Sequence, residues 1–220
     1  MPFAKLLEIR PGVTAVIGGG GKTTLLRRLG EELSRTAPVL LCTTTKIYPF
    51  PGIPTAHSRR ELAALSGDLL CMGTPIAGGK LTAPEVPFRE LMERFPYVLV
   101  EADGSAGRPM KAHAPHEPVI PAEAGQTILV LGASGFGRPI EAAAHRPERY
   151  AALAGAALHD PITPALAAKV LQGEHLHTCL FINQIETSEA RRQAQALAAL
   201  LTAPTFGGSL KKGEIYPCSF

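Results

Sequence analysis

No stretch of this sequence is apolar for long enough to span a membrane, and Met1 to Arg10 holds no apolar run of signal-peptide length. The expected setting is the cytoplasm, with no membrane partner. Charge of one sign is equally scarce. Lys and Arg number 22 against 19 Asp and Glu, and the basic residues are scattered rather than clustered, so no footprint for nucleic acid emerges. There are only four cysteines, Cys42, Cys71, Cys179 and Cys218, and no two have the spacing of zinc ligands. Reduced thiols in an apolar interior are expected instead. Internal repeats and low-complexity tracts are also missing.

What is present is 220 residues, 45% of them hydrophobic, enough to bury a core in a single domain over residues 1–220. Short apolar runs alternate with segments of helical periodicity. Val13 to Ile17, Val39 to Thr43, Leu69 to Met72, Tyr97 to Glu101, Ile128 to Leu131 and Thr178 to Ile182 read as buried strands. Leu25, Leu26, Leu29 and Leu33 recur at helical spacing. Further helices are expected from Ser58 with its capping-box partner Glu61, near Phe88 to Phe95, from Pro147 to about Gly155, from Thr163-Pro164 through Val170, and from Ser188 to Leu201. The Gly- and Pro-rich segment from Gly73 to Pro87 reads as a small hairpin or excursion. Strands alternating with helices predict an α/β fold with three layers and a mainly parallel sheet, whose ligands sit at the carboxyl ends of the strands.

At the first of those ends stands Gly18-Gly19-Gly20-Gly21-Lys22-Thr23-Thr24, after a strand and opening a helix. Glycines let backbone N–H groups turn toward phosphate oxygens, Lys22 neutralises the outer phosphates, and the Thr23 hydroxyl is a ligand for Mg2+. The strict P-loop pattern has glycine six residues before the lysine, where this chain has Val16, so the turn starts late, at Gly18. Directly after the Tyr97 strand come Glu101 and Asp103-Gly104, either carboxylate being placed to complete the metal shell or position water.

The remaining strand ends carry weaker signals. Thr44, Thr45 and Lys46 reach the ligand edge as a polar loop or as contacts to phosphate and substrate. Asn183-Gln184-Ile185-Glu186 lies where GTP-binding proteins carry Asn-Lys-x-Asp, and is either an ordinary strand-to-helix turn or a base-reading loop with Asn183 and Glu186 as contacts, which favours GTP only slightly over ATP because Gln184 and Glu186 depart from the pattern. Arg108, Lys111, His145 and Arg146 are candidates for holding an anionic second substrate, or are simply solvated. The His113-Ala114-Pro115-His116-Glu117 stretch has no third metal ligand at a telling spacing and reads as a loop. Gly132 to Arg138 reads as a second loop at the ligand edge.

Taken in order, Gly20 to Thr24, Thr43-Thr44-Thr45-Lys46, Val100 to Ser105 with Gly107-Arg108-Pro109, His116 to Pro121, His145 to Glu148, Ile162-Thr163-Pro164 and Asn183 resemble the YqeC-type family over nearly the whole chain. That family comprises accessory proteins of selenium-dependent molybdenum hydroxylases. The resemblance implies a P-loop NTPase-like protein that takes ATP or GTP with Mg2+ and assists maturation of a molybdenum hydroxylase, in contact with that enzyme or its cofactor-maturation proteins. In that setting Lys22, Glu101 and Asp103 are the expected catalytic residues, and Thr23, Glu101 and Asp103 the metal ligands. A small-molecule kinase or ATP-dependent ligase, and a non-catalytic nucleotide switch or chaperone, are the alternative readings. A homodimer is compatible with all three, since related P-loop proteins often complete their sites across a dimer.

Overall fold

The computed structural model describes residues 1–217; Cys218 lies outside the described residues. The chain separates into two compact units. The first comprises Met1–Val16, Thr23–Gly104 and Val119–Thr127, and the second Ile17–Lys22, Ser105–Pro118 and Ile128–Phe220.

In chain order the elements begin with α1 (Phe3–Leu6), β1 (Gly12–Gly18), α2 (Lys22–Leu33), β2 (Val39–Thr43), β3 (Thr55–Ala56), α3 (Arg59–Ala64), β4 (Leu69–Met72), β5 (Thr74–Ile76), β6 (Lys80–Thr82), α4 (Phe88–Arg94) and β7 (Tyr97–Glu101). In the first unit the strands run in the order β1-β7-β2-β4-β3, every neighbouring pair parallel. A parallel sheet buries both faces, which is why β2 and β7 read as continuous apolar runs. The core gathers Val13, Leu40, Cys42, Leu70, Met72, Val98 and Val100 from the strands with Leu62 from α3, Leu91 from α4 and Phe95 just after α4. The leucines of α2 follow the helical spacing inward: Leu25, Leu26 and Leu29 are fully buried. Ser58 caps α3 by accepting from the Glu61 N–H at 3.2 Å, and Glu61 reaches back to the His57 N–H at 2.8 Å, one residue beyond the Ser58 N–H that a capping box would use. The Gly73–Pro87 excursion is a hairpin, with β5 and β6 antiparallel around Gly78-Gly79.

The second unit contains β8 (Met110–Lys111), most of β9 (Ala124–Gly132), α5 (Ile140–Ala143), β10 (Ala144–His145), α6 (Pro147–Ala154), α7 (Pro164–Glu174), β11 (Cys179–Asn183), α8 (Ser188–Ala198), β12 (Thr205–Ser209) and β13 (Glu214–Pro217). Its strands run β9-β11-β12-β13, parallel except for the last pair. β8 and β10 form a separate two-stranded parallel ladder. Thr163 and Thr187 cap α7 and α8 through their hydroxyls, accepting from Leu166 N–H at 3.3 Å and Ala190 N–H at 3.1 Å. Helix α7 runs to Glu174, past Val170, and α8 stops at Ala198, short of Leu201. Pro204 follows closely, where a helix cannot continue. The α/β class and the mainly parallel sheet agree with the alternation in the sequence.

Candidate functional site

The polyglycine loop joins β1 to α2. Gly20 has φ of 73°, and a Cβ there would stand 2.4 Å from the Gly132 nitrogen. Gly21 has φ of 126°, and its Cβ would stand 2.5 Å from the Asn183 amide. Both positions therefore need glycine for conformation and for close approach. The loop is held from outside. Asn183, at the end of β11, donates through Nδ2 to the Gly20 carbonyl at 2.7 Å, and its Oδ1 accepts from the Leu210 N–H at 3.0 Å. Asn183 thus ties the loop to the turn after β12, with both ends of its amide engaged within the chain.

The second unit also sets the donors of the loop. Lys22 is buried, with 4% exposure, and its Nζ donates to the Gly18 carbonyl at 2.7 Å and to the Ser105 hydroxyl at 3.3 Å. The Gly20 N–H donates to the Arg108 carbonyl at 3.1 Å. An ammonium and an N–H presented by a glycine turn at the start of a helix are the groups that take phosphate oxygens in such loops.

Thr23, next along the chain, belongs to the first unit, where its hydroxyl donates to the Glu101 Oε2 at 2.8 Å. Glu101 ends β7 and is itself positioned by its neighbours. Its carbonyl accepts from the Thr43 hydroxyl at 2.9 Å and from the Thr44 N–H at 3.1 Å, while Thr43 faces it across the β2–β7 ladder. Thr45 N–H donates to the Thr43 hydroxyl at 2.9 Å, and the Thr44 hydroxyl donates to the Val119 carbonyl at 2.6 Å. Threonines 43 to 45 therefore order the end of β7, and Lys46 is exposed. Asp103, two residues beyond Glu101, is fully buried. A hydroxyl and a carboxylate are oxygen groups of the kind that ligate Mg2+ in phosphate-binding loops, where water and phosphate supply the other ligands. Among the described residues no three His, Cys, Asp or Glu side chains come together as a cage for a metal ion.

The candidates for an anionic substrate divide into two groups. Lys111 on β8 and Arg146 after β10 share one carboxylate, that of Glu117, at 2.9 and 2.8 Å. Burial pushes the Glu117 carboxyl up, but the hydrogen bonds and charges of Arg146 and Lys111 outweigh it and hold the group at about 2. His145 lies opposite Lys111 in the β8–β10 ladder, and its carbonyl accepts from the Ala112 N–H. Arg108 points elsewhere, to the Ala142 carbonyl, which it shares with Arg138. His113 is buried against Glu174, whose carboxylate accepts from the His113 backbone N–H at 2.6 Å and lies 2.8 Å from Nδ1. Beyond Asn183, Gln184 takes a positive φ of 64° and its Oε1 accepts from the Ser134 hydroxyl at 2.6 Å. Glu186 is exposed and accepts from the Ser209 hydroxyl at 3.3 Å. Ser105, Glu117, Arg138 and the Leu210 N–H were not among the candidates read from the sequence. Ser105, Glu117 and Arg138 stood only inside longer strings, Val100 to Ser105, His113 to Glu117 and Gly132 to Arg138, with no role of their own.

Burial answers the cysteine expectation for three of the four residues. Cys42, Cys71 and Cys179 are buried. Burial pushes the Cys42 thiol well up, and also the Cys71 thiol, to about 11. No helix among the described residues is long and apolar enough to cross a membrane.

The chloroplast FtsY of Physcomitrella patens aligns over 95% of this chain and 62% of its own, at 16% identity and a TM-score of 0.48. The Escherichia coli (strain K12) protein described as uncharacterized protein YqeC is 34% identical over 175 residues, 70% of this chain. The match spans 66% of that relative's length. The family described as YqeC protein matches residues 14–148, from β1 through the first turn of α6 and so across the glycine loop, Glu101, Asp103 and the Glu117 ion pairs. The chain belongs to the YqeC family.

Proposed function

We propose that the protein binds a nucleoside triphosphate with Mg2+ on Gly18 to Thr24 and hydrolyses it, and that this NTPase assists maturation of a selenium-dependent molybdenum hydroxylase. The observation that carries the reading is the hydroxyl of Thr23 against the Glu101 carboxylate at 2.8 Å, one residue along the chain from the buried Lys22. Lys22 exchanges the Gly18 carbonyl and Ser105 hydroxyl for phosphate oxygens, and Gly20 N–H exchanges the Arg108 carbonyl in the same way. Thr23 and Glu101, with the buried Asp103 two residues further along the chain, would hold the ion directly or through water. Bound there, Mg2+ neutralises charge on the phosphates. Glu101 also orders the attacking water when its carboxylate is released from Thr23.

The maturation role rests on the resemblance in the motif set, joined by membership of the YqeC family. Both ATP and GTP remain ligands of the proposal, because the Asn183 amide is engaged in bracing while Glu186 is exposed beside it.

The test is single-turnover phosphate release from ATP and from GTP with Mg2+, comparing wild type with Glu101→Gln. The expected result is release by wild type and a loss of about a hundredfold or more in the variant, the scale on which a charge-stabilising group acts. Tight nucleotide binding without release by wild type would transfer the assignment to a nucleotide-dependent switch.

A further inference from the structure

The geometry points to a second anion site beside the phosphate loop, formed by Arg108 and Arg138, which takes a carboxylate or phosphate group of a substrate. Both guanidinium groups donate to one acceptor, the carbonyl oxygen of Ala142 in α5, Arg138 through Nη2 at 3.2 Å and Arg108 through Nη1. Both arginines are exposed, and among the described residues neither pairs with a carboxylate, although Glu141 is the residue beside Ala142. Two cations that donate to the same neutral oxygen are forced within a few ångström of each other. Their mutual repulsion is relieved by an oxyanion, which accepts from both forks at once.

The contrast with the neighbouring cations sharpens the assignment. Lys111 and Arg146 already share Glu117, and Lys111 is buried, so their charge is answered within the chain. Arg108 and Arg138 are arranged without such an answer. The Ala142 carbonyl has two lone pairs and accepts from both arginines, but it carries no negative charge to set against theirs.

Position ties the pair to the loop and to a cleft. The Arg108 carbonyl accepts from the Gly20 N–H at 3.1 Å, so the arginine side chain starts in contact with the phosphate loop. Arg138 follows Gly137, which lines a cleft of about 620 Å³ together with Ser134, Phe136, Gln184 and Gln193. The cleft offers hydroxyl and amide groups, one aromatic ring and the carboxylates of Glu186 and Glu189, so a small molecule that fits it has a polar or cationic body there and carries its acid group out onto the two arginines. The role of this molecule as partner to a nucleotide rests on the function proposed above; its binding does not.

The experiment is calorimetric titration of inorganic phosphate and, separately, malonate into Lys22→Ala protein, which silences the phosphate loop. The same titrations follow in Lys22→Ala carrying Arg138→Gln, Arg108→Gln or Arg138→Lys. The expected result is binding of at least one probe to the parent, weakened about tenfold or more by either glutamine and partly restored by lysine, which keeps charge without the fork. Preference for phosphate assigns a phosphate-bearing substrate, and preference for malonate a carboxylate-bearing one. No binding of either probe to the parent, or binding indifferent to both glutamine variants, overturns the site. Nucleotide binding to wild type and to Lys22→Ala is read separately, so failure of the phosphate-loop assignment leaves this outcome intact.

Discussion

Glu117 is the residue whose chemistry departs furthest from what its place in the sequence suggests. His113 to Glu117 reads as a polar, Pro-rich loop, yet its glutamate bridges a buried lysine and an arginine. Its folded carboxyl lies at about 2, below the ordinary 4.5. A group depressed on folding contributes stability that is full above its unfolded value and is lost as the pH falls toward its folded value. Unfolding in urea should therefore show wild-type stability declining between about pH 4.5 and about pH 2, with this part of the decline missing in Glu117→Gln. Parallel declines in the two proteins would contradict the assignment. That the glycines, Lys22, Thr23, Glu101 and Asp103 stand at or just beyond the carboxyl ends of strands was legible in the sequence, because β1 and β7 are recognisable strands. The partners of Lys111 and Arg146, and the bracing by Asn183, were not, since they are long-range pairings that no local spacing encodes.

At the scale of elements, legibility followed period and burial. Strands β1, β2, β7 and β11 are continuous apolar runs, and α2 carries leucines at one helical spacing, so each declared itself. β12 did not, because Thr-Phe-Gly-Gly-Ser has the composition of a turn. Its glycine is required for another reason: a Cβ at Gly208 would stand 2.3 Å from the Glu214 carbonyl oxygen of the antiparallel partner. The glycine loop makes the corresponding prediction for function. Gly20→Ala puts a methyl group 2.4 Å from the Gly132 nitrogen at a φ of 73°. It should destabilise the protein by about 2–4 kcal/mol and weaken nucleotide binding by more than about tenfold. Thermal unfolding and a nucleotide titration below the melting range check both parts. A variant with wild-type stability and affinity would show that the loop is not held as described.

For the molecule as a whole, the alternation of strands and helices was enough to read an α/β chain with a mainly parallel sheet, and the ordered set of motifs was enough to read its family. The division into two compact units was not legible, because the chain passes between them more than once. The glycine loop is one such passage: Lys22 counts with the second unit and Thr23 with the first. The central claim is that these two consecutive residues take a nucleotide, and the direct measurement is titration of ATP and GTP, with Mg2+, into wild type and Lys22→Ala. The account predicts saturable binding of at least one nucleotide to wild type, weakened by about a hundredfold in Lys22→Ala, the scale set by losing a charge-assisted contact to phosphate. Equal affinity in the two proteins, or no binding to wild type, would contradict it.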